Sequence, residues 1–483
     1  MILAIDQGTT GTTCLVFDRE GTIAGRAYSE FEQHFPRPGW VEHDAGEIWE
    51  VSRAVGAAAL ADAGIGGADL DAIGITNQRE TVVAWDGATG EPIHRALVWQ
   101  DRRTAARCEE LKEGGHEQLI RERTGLVLDP YFSGTKLEWL LQNVEGAGRA
   151  RLGTIDSWLA FKLTGEHVTD YSNASRTLLF DIHGLRWDEE LCALFGIDPG
   201  SLPEALPSAQ VYGTTTAFGG EVPVAGIAGD QQAALFGQAC QQPGDAKNTY
   251  GTGSFVLLNV GAQVPDPEQG LLTTVAWGLG ERTDYALEAA VFVTGAAVQW
   301  LRDGLGIIED AAQSEAMAAA TESNDDVYFV PALTGLGSPW WDPYARGTIV
   351  GLTRGTGPEQ IARAALESIA YQTVDAVRAQ ERASGERLSA LRADGGAARN
   401  GWLMQFQADV LGAPVIVPEI TETTALGAAY LAGIATGVWS PERVREMWRE
   451  ADRYEPRMSA DERSALHGRW LEAVERARAW ARG

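Results

Sequence analysis

The stretch Ile2-Leu3-Ala4-Ile5-Asp6-Gln7-Gly8-Thr9-Thr10-Gly11 runs into a second apolar strand from Thr13 to Phe17, and the chain repeats this phrase about half-way along. There Asn248-Thr249-Tyr250-Gly251-Thr252-Gly253-Ser254 enters the apolar run Phe255 to Val260. Each reads as a hairpin whose glycines let backbone N–H groups point inward beside threonine hydroxyls, a geometry that cradles phosphate oxygens. Two such cradles, one in each half, predict a nucleotide held between two lobes.

The chain has 483 residues, enough for two large domains or about three of ordinary size. With 45% apolar residues it can bury real cores. Asp and Glu outnumber Lys and Arg by 67 to 39, a net charge of −28, which excludes a nucleic-acid or anionic-membrane surface as the expected partner. Any phosphate site must then rely on local amides, hydroxyls and metal. Cys14, Cys108, Cys192 and Cys240 are scattered without metal-ligand spacing, which fits a reduced cytoplasm. The apolar run before Asp6 is too short for a signal peptide, and Ala425 to Trp439 is too short and glycine-broken to span a bilayer. A cytoplasmic protein without stable membrane insertion is expected.

Strand-like runs alternate with helical patterns: Leu70 to Thr76, Ala96 to Trp99, then an amphipathic stretch from Arg102 to Lys112. This predicts α/β architecture with mixed sheets. Ile361, Ala365, Ile369, Ala370 and Val374 recur at helical spacing behind Pro358, predicting a helix from Pro358 to Gln380 with one buried side. Ser459 to Trp480 reads as a solvated packing helix. The second cradle should open the second domain, and Gln241-Gln242-Pro243-Gly244 supplies turn chemistry just before it, so domains of 1–238 and 239–483 are expected.

P-loop, GxGxxG, GxSxG and HExxH motifs are lacking. A third glycine turn, Leu391 to Asn400, leads into a helical run at Trp402. Gly395 and Gly396 there suit an adenine ring or a phosphate, or simply a sharp strand-to-helix turn. Asp230 and Gln231 follow an apolar strand ending Ala225-Gly226-Ile227-Ala228-Gly229. A carboxylate at that point can take a proton from a substrate hydroxyl, and it can equally cap the helix that follows. Asn77-Gln78-Arg79-Glu80-Thr81 packs five polar residues behind a strand. Arg can donate to polyol oxygens and Glu can accept from hydroxyl hydrogens, although an isolated Arg-Glu pair is ordinarily a surface turn. Trp99 and Tyr131, taken separately, read as core aromatics.

Taken with Pro38 to Asp44, Asp129 to Lys136, Ala228 to Gln238, Lys247 to Gly253 and Tyr344 to Gly347, these motifs resemble the FGGY carbohydrate kinases. Tyr131 to Trp139 and Gly347 to Glu367 resemble the general family signatures, and Asn77 to Thr81 with Asp129 to Tyr131 resemble the members that phosphorylate glycerol. The likeness runs from the first residues to about Trp439 and thins after that. It implies a two-domain actin-like ATPase (ribonuclease H-like) fold with the active site in the interdomain cleft. It also implies transfer of phosphate from ATP to glycerol, with Mg²⁺, giving sn-glycerol 3-phosphate and ADP, the entry step of glycerol catabolism. By resemblance, Asp230 is the general base, and Arg79, Glu80, Tyr131 and Gln231 orient the three hydroxyls. Trp99 and Phe255 wall the carbon backbone. Asp6 holds Mg²⁺, while Thr9, Thr10 and Gly11 line the phosphate side. Thr252, Gly295, Gln299, Gly396 and Asn400 resemble nucleotide-contacting positions.

The resemblance further implies a homo-oligomer, dimer or tetramer. Thr13 departs from the pattern, standing where such kinases often carry arginine, so one transition-state cation is missing or supplied from elsewhere. Glu221 stands where a basic residue serves fructose 1,6-bisphosphate inhibition in some members, and the Val211 to Val222 loop has no histidine to phosphorylate. Two other readings stay open at this point: another polyol or a pentulose as acceptor, and an actin-like ATP switch with no small-molecule acceptor.

Overall fold

A computed structural model describes residues 1–265 and 270–481. Ile2–Gln7 pairs antiparallel with Gly11–Phe17, from Ile2 opposite Phe17 to Gln7 opposite Thr12. Every residue of Ile2–Gln7 except Asp6 is buried, as an uninterrupted apolar run in a central strand requires. Ala72–Asn77 lies parallel on its other side, with Gln7 opposite Asn77. Val222–Gly229 comes next, also parallel, with Gly229 opposite Asn77. The carboxyl ends of three parallel strands therefore reach one level, and Asp6, the segment after Asn77, and Asp230 gather there. Ligands of open α/β sheets bind outside such strand ends.

The second half repeats the order. Asp245–Tyr250 pairs antiparallel with Ser254–Gly261 and parallel with Ala390–Gly395, which in turn neighbours Val415–Pro418. Tyr250 stands opposite Gly395, which brings the second and third glycine turns together. The blocks differ at one edge. Gly11–Phe17 is flanked by Ile23–Glu30, whereas Ser254–Gly261 is flanked by Arg282–Val291 with Leu272–Leu279 outside it. The strands run as one 13-stranded sheet in which, among the described residues, the strands of the two blocks pair where Ala209 stands opposite Leu279.

Helix Pro358–Ser384 carries proline in its first turn and buries Ala365, Ile369, Ala370 and Val374 in the second block's core, while Ile361 is partly buried. It extends four residues beyond the expected end, to a left-handed Gly385. The expected amphipathic stretch is helix Ala105–Glu113, and the C-terminal one is Ala460–Ala477, with His467, Trp470 and Val474 turned inward. Helix Thr423–Ala435 comes from the second half yet packs on the first block. Its Ala428 and Leu431 share a core with Ile2, Ala4 and Phe17. Small residues permit this: a Cβ on Gly74 would lie 2.3 Å from the Ala428 carbonyl oxygen, and one on Gly427 would lie inside the Ala233 carbonyl. Among the described residues no helix is long and apolar enough to cross a membrane.

Candidate active site

The first turn is fixed by its own backbone and by a set of amide side chains. Gly8 N–H donates to the Gly11 carbonyl at 2.9 Å. Gln7 Nε2 and Gln78 Nε2 both donate to the Gly8 carbonyl, at 2.7 and 3.2 Å, and Gln33 Nε2 donates to that of Thr9 at 3.0 Å. Trp99 Nε1 donates to the Thr9 hydroxyl at 2.9 Å, so this aromatic ring is tied to the first glycine turn. Thr10 is exposed at the tip. Gly8, Gly11, Gly251 and Gly253 all avoid the left-handed region. Gly11 and Gly253 allow close approach. A Cβ there would lie 2.6 Å from the Ser29 carbonyl oxygen or 2.5 Å from that of Val291, both on the flanking strands.

Asp6 is the penultimate residue of the central strand, and burial, reinforced by the charge of Asp230, pushes its carboxyl up to about 7. Asp230 is the first residue of helix Asp230–Gly237; the cap is Gly229, so the capping role weighed for Asp230 falls to its neighbour. Asp230 Oδ1 accepts from the Gln231 N–H at 2.7 Å and lies 3.1 Å from Arg79 Nε. Thr13 pairs opposite Asp6 and brings no charge; the cations here are Arg79, Arg176 and Lys247, all buried.

Arg79 donates from Nη1 to Glu288 at 2.6 Å and to Gln232 at 3.2 Å, and from Nη2 to Glu288 at 3.4 Å. Arg176 donates from Nε to Glu80 at 2.7 Å and from Nη2 to Glu288 at 3.0 Å. All four side chains are at most 2% exposed. Burial works against ionised Glu288, but Arg176 and Arg79 outweigh it and hold the carboxyl at about 2. For Glu80 burial prevails over the same two arginines, and its carboxyl is raised. Glu80 also has φ 62°, a left-handed conformation uncommon for a residue with a side chain and concentrated at functional sites. Sequence reasoning missed Arg176 and Glu288.

Two buried lysines shape the surroundings. Lys136 donates to the carbonyls of Pro130, Tyr131 and Phe132 at 2.7, 2.7 and 2.8 Å, clamping the turn that presents Tyr131. Tyr131 meets Trp99 edge-on, with ring centres 5.5 Å apart. Lys247 donates to Gln231 Oε1 and, at 2.8 Å, to the Thr249 hydroxyl. A lysine ammonium only donates, so the oxygen of Gln231 faces Lys247 and its NH₂ faces away. Burial lowers both lysines to about 8. The Phe255 ring lies 5.9 Å from the Arg79 guanidinium. Arg79, Glu80, Asp230, Gln231 and Phe255 thus form one cluster, joined through Arg176 to Tyr131.

A cavity of about 480 Å³ opens beside the second turn. Thr252, Gly295, Gln299, Gly396 and Asn400, the five expected nucleotide positions, all line it. Gly295 N–H donates to the Gly251 carbonyl at 3.0 Å, fixing the start of helix Gly295–Asp303 against the turn. Asn400 Oδ1 caps helix Gly401–Leu411 through the Leu403 N–H at 2.9 Å, so its NH₂ is the group left for a ligand. Arg302, Ser314 and Glu315 also line the cavity and were missed, since they lie in segments with no motif.

The fold and the paired sites define a kinase of two related lobes, and the chain belongs to the FGGY family of carbohydrate kinases. The family's N-terminal domain matches residues 1–237 and its C-terminal domain residues 246–436. The chain is 55% identical over 490 residues to Glycerol kinase 2 of Thermotoga maritima, covering 99% of each, so the likeness continues past Trp439. Its fold matches the crystal structure of Plasmodium falciparum glycerol kinase with ADP at a TM-score of 0.94, 36% identity, and coverage of 99% and 98%. A xylulose kinase from Rhodospirillum rubrum matches at 0.88 and 25%, covering 97% of each chain.

Proposed function

We propose that this protein transfers the γ-phosphoryl group of ATP to glycerol, giving sn-glycerol 3-phosphate and ADP. The observation that carries the reading is the short, polar cluster around Arg79, Glu80 and Asp230, walled by Phe255 and Trp99, in a chain 55% identical to a glycerol kinase. Arg79 and the Gln231 NH₂ donate to hydroxyl oxygens, Glu80 accepts a hydroxyl hydrogen, and Tyr131 closes the polar side. Asp230 takes the proton of the attacking hydroxyl, and the Arg79 guanidinium beside it orients its carboxylate. The nucleotide base and ribose occupy the cavity between Gly295 and Gly396, and the phosphates run toward the turn Thr9 to Gly11.

Among the described residues no three-carboxylate or histidine cluster exists to cage a cation. Asp6, a carboxylate pushed up by burial, fits a Mg²⁺ that takes most of its ligands from phosphates and water. That ion would supply charge neutralisation on the phosphates. Binding ATP in one block and acceptor in the other makes transfer depend on their juxtaposition, which orients the reactants and excludes water. The domain division at 238/239, cytoplasmic residence and assembly as a homo-oligomer belong to the same reading. The test is product identification. Incubation with Mg-ATP and glycerol should give a glycerol monophosphate by phosphorus NMR, and inorganic phosphate alone would overturn the proposal.

A further inference from the structure

We propose that Arg176 and Glu288 are positioning residues that set acceptor specificity, an inference that rests on glycerol being the acceptor. A guanidinium has five N–H donors. Arg79 commits Nε toward Asp230, both Nη1 hydrogens to Glu288 and Gln232, and one Nη2 hydrogen to Glu288, leaving one on Nη2. Glu80 gives Oε1 to Arg176, and its Oε2 has no protein partner among the described residues. One free donor and one free acceptor, on consecutive residues, match the oxygen of one hydroxyl and the hydrogen of its neighbour on a small polyol.

Neither free atom would hold its place without the buried pair. Glu288 grips both arginines, and Arg176 bridges Glu288 to Glu80. The strained backbone at Glu80 persists because its carboxylate is held by Arg176 and its carbonyl accepts from Ser133 Oγ at 3.0 Å. Arg79 and Glu80 follow strand Ala72–Asn77 and Arg176 follows the short helix Tyr171–Ala174, all in the first half, whereas Glu288 lies on Arg282–Val291 in the second. The recognition of acceptor on one block is therefore completed by a carboxylate from the other. Arg176 Nη1 is buried without a protein partner, so the network is not a closed structural ion cluster. A site built on such hydrogen bonds rejects an acceptor lacking one hydroxyl, because a buried polar group is then left unpaired.

The variants Arg176→Lys, Arg176→Met and Glu288→Gln test this. For each, kcat and KM would be measured for glycerol and for ATP, with kcat/KM for 1,2-propanediol and 1,3-propanediol and the thermal midpoint. The glycerol KM should rise at least tenfold with the ATP KM within threefold, and the preference for glycerol over at least one diol should narrow tenfold. A folded variant that keeps glycerol KM and diol discrimination, or loses glycerol and ATP affinity equally, would overturn the assignment. If Arg176→Met does not fold, Glu288→Gln, which keeps the size of the side chain, and Arg176→Lys, which keeps the positive charge, decide the matter. Wild-type protein inert toward glycerol would instead remove the proposed function.

Discussion

Asp230 Oδ1 is engaged twice, by the Gln231 N–H at 2.7 Å and by Arg79 Nε at 3.1 Å, while Oδ2 has no protein partner among the described residues. The carboxylate is thereby held in one orientation with a single oxygen open to a substrate hydroxyl. Replacing it as Asp230→Asn keeps the shape and removes the base. Turnover should be largely abolished, with glycerol affinity changed by no more than about tenfold, roughly 1.4 kcal/mol. Steady-state kinetics with calorimetric binding of glycerol checks both halves. Near-normal turnover would take Asp230 out of the base role.

Phe255 opens the strand behind the second turn and lies beside Arg79. Phe255→Ala should weaken glycerol binding more than ATP binding, because its ring faces the polyol cluster and not the nucleotide cavity. Comparing the two KM values separates the outcomes; equal losses would place the ring in the general core.

Adjacent glycines at the third turn should behave oppositely. Gly395 has φ 87°, and a Cβ on it would lie 2.3 Å from the Tyr250 carbonyl oxygen, so Gly395→Ala should lower the thermal midpoint markedly. A Cβ on Gly396 would meet nothing within 4 Å, and Gly396 lines the cavity. Gly396→Ala should keep the wild-type midpoint and raise the ATP KM. Differential scanning fluorimetry and ATP titration distinguish the pair.

Acid should expose the Glu288 network. Its carboxyl titrates at about 2 in the folded protein and near 4.5 when unfolded. A depressed carboxylate contributes stability that is complete above the unfolded value and is lost as pH falls through the folded one. The contribution is on the order of 3 kcal/mol at neutral pH. The stability gap between wild type and Glu288→Gln in denaturant melts should therefore shrink as pH drops from about 4.5 toward 2. A gap independent of pH would mean that the charge of Glu288 is immaterial.

What could be read from sequence were local phrases. Asp6 to Gly11, Asn77 to Thr81, Asp230-Gln231 and Gly395-Gly396 each carry strand, turn and chemistry within ten residues; the fold brings the first three to neighbouring strand ends and sets Gly395 opposite Tyr250 of the second turn. Arg176 and Glu288 escaped because their meaning lies in partners 96 to 209 residues away, and nothing in their own neighbourhoods distinguishes them from ordinary charged residues. Lys136 and Lys247 were visible inside quoted motifs but had no stated role, since a lysine's burial depends on tertiary packing. The glycine turns were legible in the sequence, but the reason that Gly11 and Gly253 must be glycine was not. Gly11 and Gly253 answer to the flanking strand, which only three-dimensional pairing reveals. The packing of Thr423–Ala435 on the first block likewise has no local signal.

The most direct test is ADP release from Mg-ATP with glycerol, xylulose, erythritol or no acceptor. Release should be rapid with glycerol, much slower with the longer polyols, and slight without acceptor. ATP turnover without acceptor as fast as with glycerol would contradict the proposed transfer to glycerol.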